Sequence, residues 1–124
     1  VIHLDASFLI RALIPGSAED HRFRKWLREG ESTQVSAVAW AEFLCGPVEQ
    51  TASKKLLQVL KEPIALDHVA AASAAHLFDQ TGRRRGSLCD CMIAAVALLA
   101  GAAVASSEAD FSRFEAAGLQ IAEH

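Results

Sequence analysis

The sequence lacks any tract of about 18 uninterrupted, strongly apolar residues, so no transmembrane helix is expected. Its most apolar stretch, Met92 to Ala105, is rich in alanine and is broken by Gly101. An excess of positive charge is also missing. Lys and Arg number 12 against 15 Asp and Glu, a net charge of −3, which excludes a simple basic nucleic-acid-binding domain. That balance leaves room for a nucleic-acid enzyme that gathers carboxylates around a metal, because such a site is itself acidic. Cysteine is scarce and odd in number: Cys45, Cys89 and Cys91 lack the C-x₂-C spacing of zinc sites, and they read as buried or incidental thiols in a reducing cytoplasm. The first residues show no basic segment followed by an apolar one, so no signal peptide is expected. Repeats, low-complexity tracts and Pro-, Gly- or Ser-rich linkers are absent. There is no G-x-x-x-x-G-K phosphate loop and no identifiable Ser-His-Asp arrangement. The histidines His3, His21, His68, His76 and His124 have no partners at metal-ligand spacing, and read as structural or surface residues.

What remains is the composition of a folded protein. With 124 residues, of which 52% are hydrophobic and 22% charged, the chain reads as a single domain spanning 1–124. A chain of this length buries enough surface to fold without disulfides or a structural metal. The three prolines, Pro15, Pro47 and Pro63, each sit at an element boundary. Apolar runs at Val1–Asp5, Gln34–Ala37, Ile64–Leu66, Ala102–Ala105 and Leu119–Ala122 read as strands. Helical patterns occupy Ser17–Glu29, with Phe23, Trp26 and Leu27 inward, and Val38–Cys45, closed by Gly46-Pro47. They continue at Val48–Leu60, with Val48, Ala52, Leu56, Val59 and Leu60 on one side, then at His68–Gln80 and Ser87–Leu99. Such alternation predicts an α/β fold, a sandwich around a mostly parallel sheet. In sheets of this kind ligands bind beyond the carboxyl ends of the strands, so the residues that follow each strand carry the functional information.

Those residues are acidic. Asp5 ends the first strand, and Glu42 lies about a turn into the helix after the second. Asp90 opens the helix Asp90-Cys91-Met92-Ile93-Ala94-Ala95, and Glu108 and Asp110 follow the fourth strand. Clustered carboxylates repel and raise one another's pKa, so a cation is needed to keep them charged together. Hard oxygen donors suit Mg²⁺ or Mn²⁺, and such ions activate water and stabilise the departing oxygen of a phosphodiester. Each residue also has a plainer reading. Asp5 can start a turn, Glu42 can be a solvated helix residue, Asp90 can complement the helix dipole, and Asp110 can cap a short helix over Phe111–Ala116. Glu108 can be plain loop.

The segments around these acids resemble those of the PIN domain, and within it the VapC ribonuclease toxins of bacterial toxin–antitoxin pairs. Leu4-Asp5-Ala6-Ser7-Phe8-Leu9-Ile10 is similar to the family's Leu-Asp-Thr/Ala-Ser opening. Ser36 to Gly46, with Glu42 and Phe43-Leu44, is similar to its Ser-x₅-Glu-Leu-x-x-Gly segment. Asp90 to Ala95 is similar to its Asp-x-x-Ile-Ala-Ala helix start, and Val104 to Phe111 loosely to its Thr-x-Asn/Asp-x-x-Asp-Phe ending. The resemblance covers the whole chain. It implies a PIN-like three-layer α/β/α sandwich and a Mg²⁺- or Mn²⁺-dependent endoribonuclease acting on RNA. It also implies a homodimer, with a VapB-type antitoxin that blocks the site. Asp5, Glu42 and Asp90 are then the metal-binding and catalytic acids. The family's fourth acid falls in the Ser106–Asp110 stretch, where Glu108 and Asp110 are both candidate metal ligands and Asp110 is also a catalytic candidate. Ser106 takes the place of a threonine that hydrogen-bonds a metal-binding carboxylate, and Ser7 is suited to do the same for Asp5.

Arg83-Arg84-Arg85 and Arg11 are candidate RNA phosphate contacts, with a solvated turn as the plainer reading of the arginine run. Trp26, Trp40, Phe43 and Leu44 serve ordinary core packing or a partner surface. Two other functions fit the acidic α/β pattern. A receiver-type phosphoacceptor module needs a lysine after its last strands, but the last lysine here is Lys61, and Asp5 is followed by Ala6 rather than a second acid. A PIN-like binding module without catalysis has no need of the trio Asp5, Glu42 and Asp90.

Overall fold

The structure, a computed structural model, describes residues 1–122. His124 lies outside the described residues. In chain order the elements are β1 (Ile2–Leu4), α1 (Ala6–Ala12), α2 (Ala18–Arg28), β2 (Thr33–Gln34), α3 (Ala37–Leu44), α4 (Gln50–Leu60), α5 (His68–Gln80), α6 (Leu88–Ala100) and β3 (Ala103–Ala105). A 3₁₀ segment over Ala109–Ala117 and β4 (Gln120–Ile121) complete it.

The strands form one parallel four-stranded sheet in the order β2-β1-β3-β4. Helices flank it, giving the expected α/β/α sandwich. The chain runs from β1 outward to β2, then returns to β3 on the other side of β1 and runs outward to β4. The switch in direction therefore falls between β1 and β3, where parallel sheets open a crevice at their carboxyl ends. Ile2, His3 and Leu4 are all buried because both faces of the central strand are covered. One apolar core links the sheet to the helices through Leu4, Phe8, Val35, Phe43, Ile93 and Val104.

Short polar residues start the helices. The side chains of Asp5, Ser17, Ser36 and Asp67 each accept a backbone N–H from the first turn of α1, α2, α3 and α5. α6 ends on Gly101, whose φ of 66° is the left-handed conformation that glycine adopts without penalty.

Three expectations need correction. Ile64–Leu66 is not a strand, because only Ile64 makes an isolated parallel bridge, to Ser36. Among the described residues the segment finds no further strand partner beyond that bridge. Helix α1 was not expected. The sequence reading ends the first strand at Asp5 and gives Ala6–Ala12 no element, because this short run, largely apolar, carries no helix signal of its own apart from the Asp5 cap. Leu27 and Val59, expected to face inward, are 41% and 43% exposed. In α2 the inward stripe runs through Glu19, Phe23 and Trp26, and Leu27 lies past its edge. Smaller shifts move the starts of β2, α3 and α4 by one or two residues.

Candidate active site

Asp5 sits at the carboxyl end of β1, where its N–H donates to the Ala105 carbonyl of neighbouring β3 at 3.0 Å. Its side chain turns back over the start of α1. Oδ1 accepts from the Phe8 N–H at 2.8 Å and from Ser7 Oγ at 2.8 Å, and Oδ2 accepts from Ser106 Oγ at 2.6 Å. The carboxylate is 4% exposed. Burial raises its pKa above the ordinary aspartate value, against the pull of these three hydrogen bonds, and the nearby Asp90 charge adds to the rise.

Four acids face one cleft of about 200 Å³, lined by Asp5, Ala6, Ser7, Ile10, Glu42, Asp90 and Glu108. Glu42 enters from α3. Its pKa is raised first by partial burial, then by the charges of Asp90, Asp5 and Glu108. Glu108 comes from the loop after β3 and is raised by burial, then by Asp5, Asp90 and Asp110. No side-chain hydrogen bond or ion pair to Glu42 or Glu108 is found among the described residues. Asp90, in the first turn of α6, pairs with Arg113 of the 3₁₀ segment at 3.3 Å. The acids thus feel one another's charge, which is what a cation-binding cleft requires. Among the described residues, however, no three His, Cys, Asp or Glu side chains form a group that could hold a metal ion as they stand. The donor set, hard carboxylate oxygens around a shared cleft, fits a Mg²⁺- or Mn²⁺-type ion in chemistry, and the ligands need to draw closer to hold one.

A family model described as PIN domain matches residues 2–117. The chain belongs to the PIN domain family. Comparison with curated proteins returns no match. Among solved structures, this PIN domain is similar to FitAcB from Neisseria gonorrhoeae at 22% identity, over 99% of this chain and 97% of that one, with a TM-score of 0.71. It is similar to VapBC2 from Rickettsia felis bound to a promoter DNA fragment at 18% identity, over 98% and 96%, with a TM-score of 0.73. VapC20 of Mycobacterium tuberculosis, described as a sarcin-ricin loop cleaving toxin, is similar at 18% identity, over 96% of each chain, with a TM-score of 0.69. At these identities the likeness is one of fold.

Within this PIN domain the expected acids separate. Asp5, Glu42, Asp90 and Glu108 share the cleft, whereas Asp110 does not line it. The Asp110 side chain is 56% exposed and lies 3.9 Å from Arg84. Ser7 and Ser106 both hold Asp5, and their hydroxyls are 3.3 Å apart. Glu42, flanked in sequence by apolar residues, is solvent-exposed rather than buried among them.

The arginines also divide. Arg11 Nε bonds both oxygens of Glu19, at 3.1 and 3.2 Å, so that end of its guanidinium is committed within the chain. Arg83 pairs with Asp79 one turn back and lies over the Phe78 ring. Arg84 reaches toward Asp110, and Arg85 is exposed with no ion pair among the described residues. Of the aromatics, Phe43 and Trp26 are buried and Trp40 packs against the core, while Leu44 is 50% exposed.

Two residues beside the site escape sequence reasoning. Glu19 is 8% exposed. Burial opposes its charge, but hydrogen bonds from its own N–H, from Ser107 and from Arg11 prevail and hold its pKa below the ordinary glutamate value. Ser107 joins Glu19, at 3.0 Å, and its N–H donates to Ser7 Oγ at 3.1 Å, which fastens the loop bearing Glu108 to α1 and α2. Arg113 is the other. Glu19 and Arg113 lie 71 and 23 residues from Asp90 in sequence (90 − 19 and 113 − 90), and no local pattern announces either.

No helix among the described residues is long and apolar enough to cross a membrane.

Proposed function

We propose that this PIN domain is a metal-dependent endoribonuclease that hydrolyses RNA phosphodiester bonds, and that it is the toxin of a toxin–antitoxin pair. The observation that carries the reading is the cleft at the sheet's switch point, which Asp5, Glu42, Asp90 and Glu108 line together and where burial, with the charge of Asp90, raises the proton affinity of Asp5, Glu42 and Glu108. Asp5, Glu42 and Asp90 would hold Mg²⁺ or Mn²⁺, with Glu108 as the fourth acid because it lines the cleft and Asp110 does not. Such an ion supplies activation of water and stabilisation of the departing oxygen. The chain's own part is positional. Ser7, Ser106 and the Phe8 N–H fix the Asp5 carboxylate, and Glu42 and Glu108 line the cleft with it and have no ion pair among the described residues. Arg84 and Arg85, with Arg11 and Arg83 more tied down, supply positive charge for the phosphates flanking the cut.

The fold neighbours support a partner. The Rickettsia felis protein and a toxin–antitoxin complex from Klebsiella pneumoniae were both solved as assemblies. We extend that arrangement to a VapB-type antitoxin for this chain, a homodimeric state and a cytoplasmic location. The test is cleavage of a structured RNA pool by purified protein in Mg²⁺, Mn²⁺ or EDTA, beside Asp5→Asn. Metal-dependent cutting that the variant lacks is expected. No cutting in any condition, with no metal uptake by calorimetry, overturns the nuclease reading in favour of a PIN-like binding module.

A further inference from the structure

Arg113 is held from several directions. Its Nη2 lies 3.3 Å from Asp90 Oδ2, its Nη1 donates to the Asp110 carbonyl, and its guanidinium carbon sits 4.3 Å from the centre of the Phe114 ring. Nε is buried with no hydrogen-bond partner among the described residues. The side chain is 15% exposed, against 27% for Asp90. An arginine is always charged, and a planar guanidinium clamped by a ring face and a carbonyl loses little further freedom in binding a carboxylate. The 3₁₀ segment therefore holds a fixed positive charge against Asp90, one of the four acids of the cleft, from behind the cleft's own lining, since Arg113 itself lines a neighbouring pocket with Leu77, Thr81 and Phe114.

We infer that Arg113 is a built-in counter-cation of the acidic cleft: it neutralises Asp90 when no metal is bound, and its charge lowers the affinity of the cleft for a divalent ion. This rests on the metal-site reading above. The opposite role, an arginine that merely holds the local structure, makes a different prediction. Loss of such a residue would loosen Asp90 and weaken metal binding, whereas loss of a counter-cation strengthens it by removing repulsion.

The experiment compares wild type, Arg113→Met, Arg113→Lys, Asp90→Asn and the double variant Asp90→Asn/Arg113→Met. Methionine keeps an apolar chain against Phe114 without the charge. Melting temperatures are read in EDTA, and Mn²⁺ affinity by calorimetry. In EDTA, Arg113→Met is expected to lower the Tm by roughly 3–6 °C, and much less in the Asp90→Asn background, where no acid is left stranded. Arg113→Met is expected to bind Mn²⁺ about three- to tenfold tighter, with Arg113→Lys near wild type. If Arg113→Met fails to fold, the double variant should fold, since it removes both charges. Additive Tm effects, or weaker Mn²⁺ binding by Arg113→Met, overturn the inference. If wild type takes up no Mn²⁺ while the Tm effects still couple, the counter-cation stands and the metal reading falls.

Discussion

Replacing Asp5 separates its structural from its chemical work. Asp5→Ala removes the cap of α1, typically worth about 1 kcal/mol. It also takes the acceptor away from two hydroxyls. Ser7 Oγ keeps the Ser107 N–H and Ser106 Oγ keeps the Glu108 N–H, so neither is fully orphaned, and each lost bond to the carboxylate counts for roughly 1 kcal/mol. Relief from burying a charge at 4% exposure offsets part of the sum. The net expected loss is about 2–3 kcal/mol, or roughly 6–15 °C in Tm for a domain of this size. Asp5→Asn differs. Its carbonyl oxygen can still accept from Phe8 N–H and Ser7, and its amide can donate to Ser106, so its stability should stay within about 1 kcal/mol of wild type. Both variants should lose RNA cleavage. The assay is thermal unfolding in EDTA together with RNA cleavage in Mn²⁺. An Asp5→Ala protein as stable as wild type would refute the capping argument. An Asp5→Asn protein that cuts RNA at the wild-type rate would refute the site.

Glu108→Gln should depress cleavage by at least tenfold while Asp110→Asn leaves it within about threefold, because only Glu108 lines the cleft; initial rates on one RNA substrate decide it, and the reverse order would return Asp110 to the site. His3 is fully buried, neither ring nitrogen has a hydrogen-bond partner among the described residues, and burial lowers its pKa. The folded protein thus takes up its proton less readily than the unfolded chain, so the His3 contribution is complete above about pH 6.5 and is lost as pH falls below that. His3→Leu should flatten the Tm profile between about pH 7 and 5.5, and an unchanged profile would show that His3 is not the group responsible. For Asp5 the sign is reversed. A raised aspartate pKa means the folded state binds the proton more readily, so metal-free protein should gain stability as pH falls from neutrality toward the raised pKa. Asp5→Asn should diminish that gain in a Tm series, and an undiminished gain would move its source to other groups.

Much of this architecture was legible one-dimensionally. His68–Gln80 reads from the sequence with the bounds it has, since Thr81-Gly82 closes the helical stretch, and the structure adds Asp67 as its N-terminal cap. The parallel sheet followed from apolar runs such as Val1–Leu4 that do not alternate, and the acids worth watching followed from their place after strands. Less legible were α1, hidden by an Asp cap that resembles a strand end, and the strand at Ile64–Leu66, which local propensity favours but which finds no partner beyond one bridge.

By itself the sequence determined the α/β class, the family resemblance and the line of acids Asp5, Glu42 and Asp90, because these depend on residue type and local spacing. Only the tertiary structure decided between Glu108 and Asp110 at the cleft, brought Ser106 to Asp5 across 101 residues, and set Arg113 against Asp90. Those outcomes depend on the order β2-β1-β3-β4, which lays the carboxyl ends of β1 and β3 side by side. Pairing between distant strands, with the loop directions it imposes, is a property of the closed sheet that no window of neighbouring residues contains.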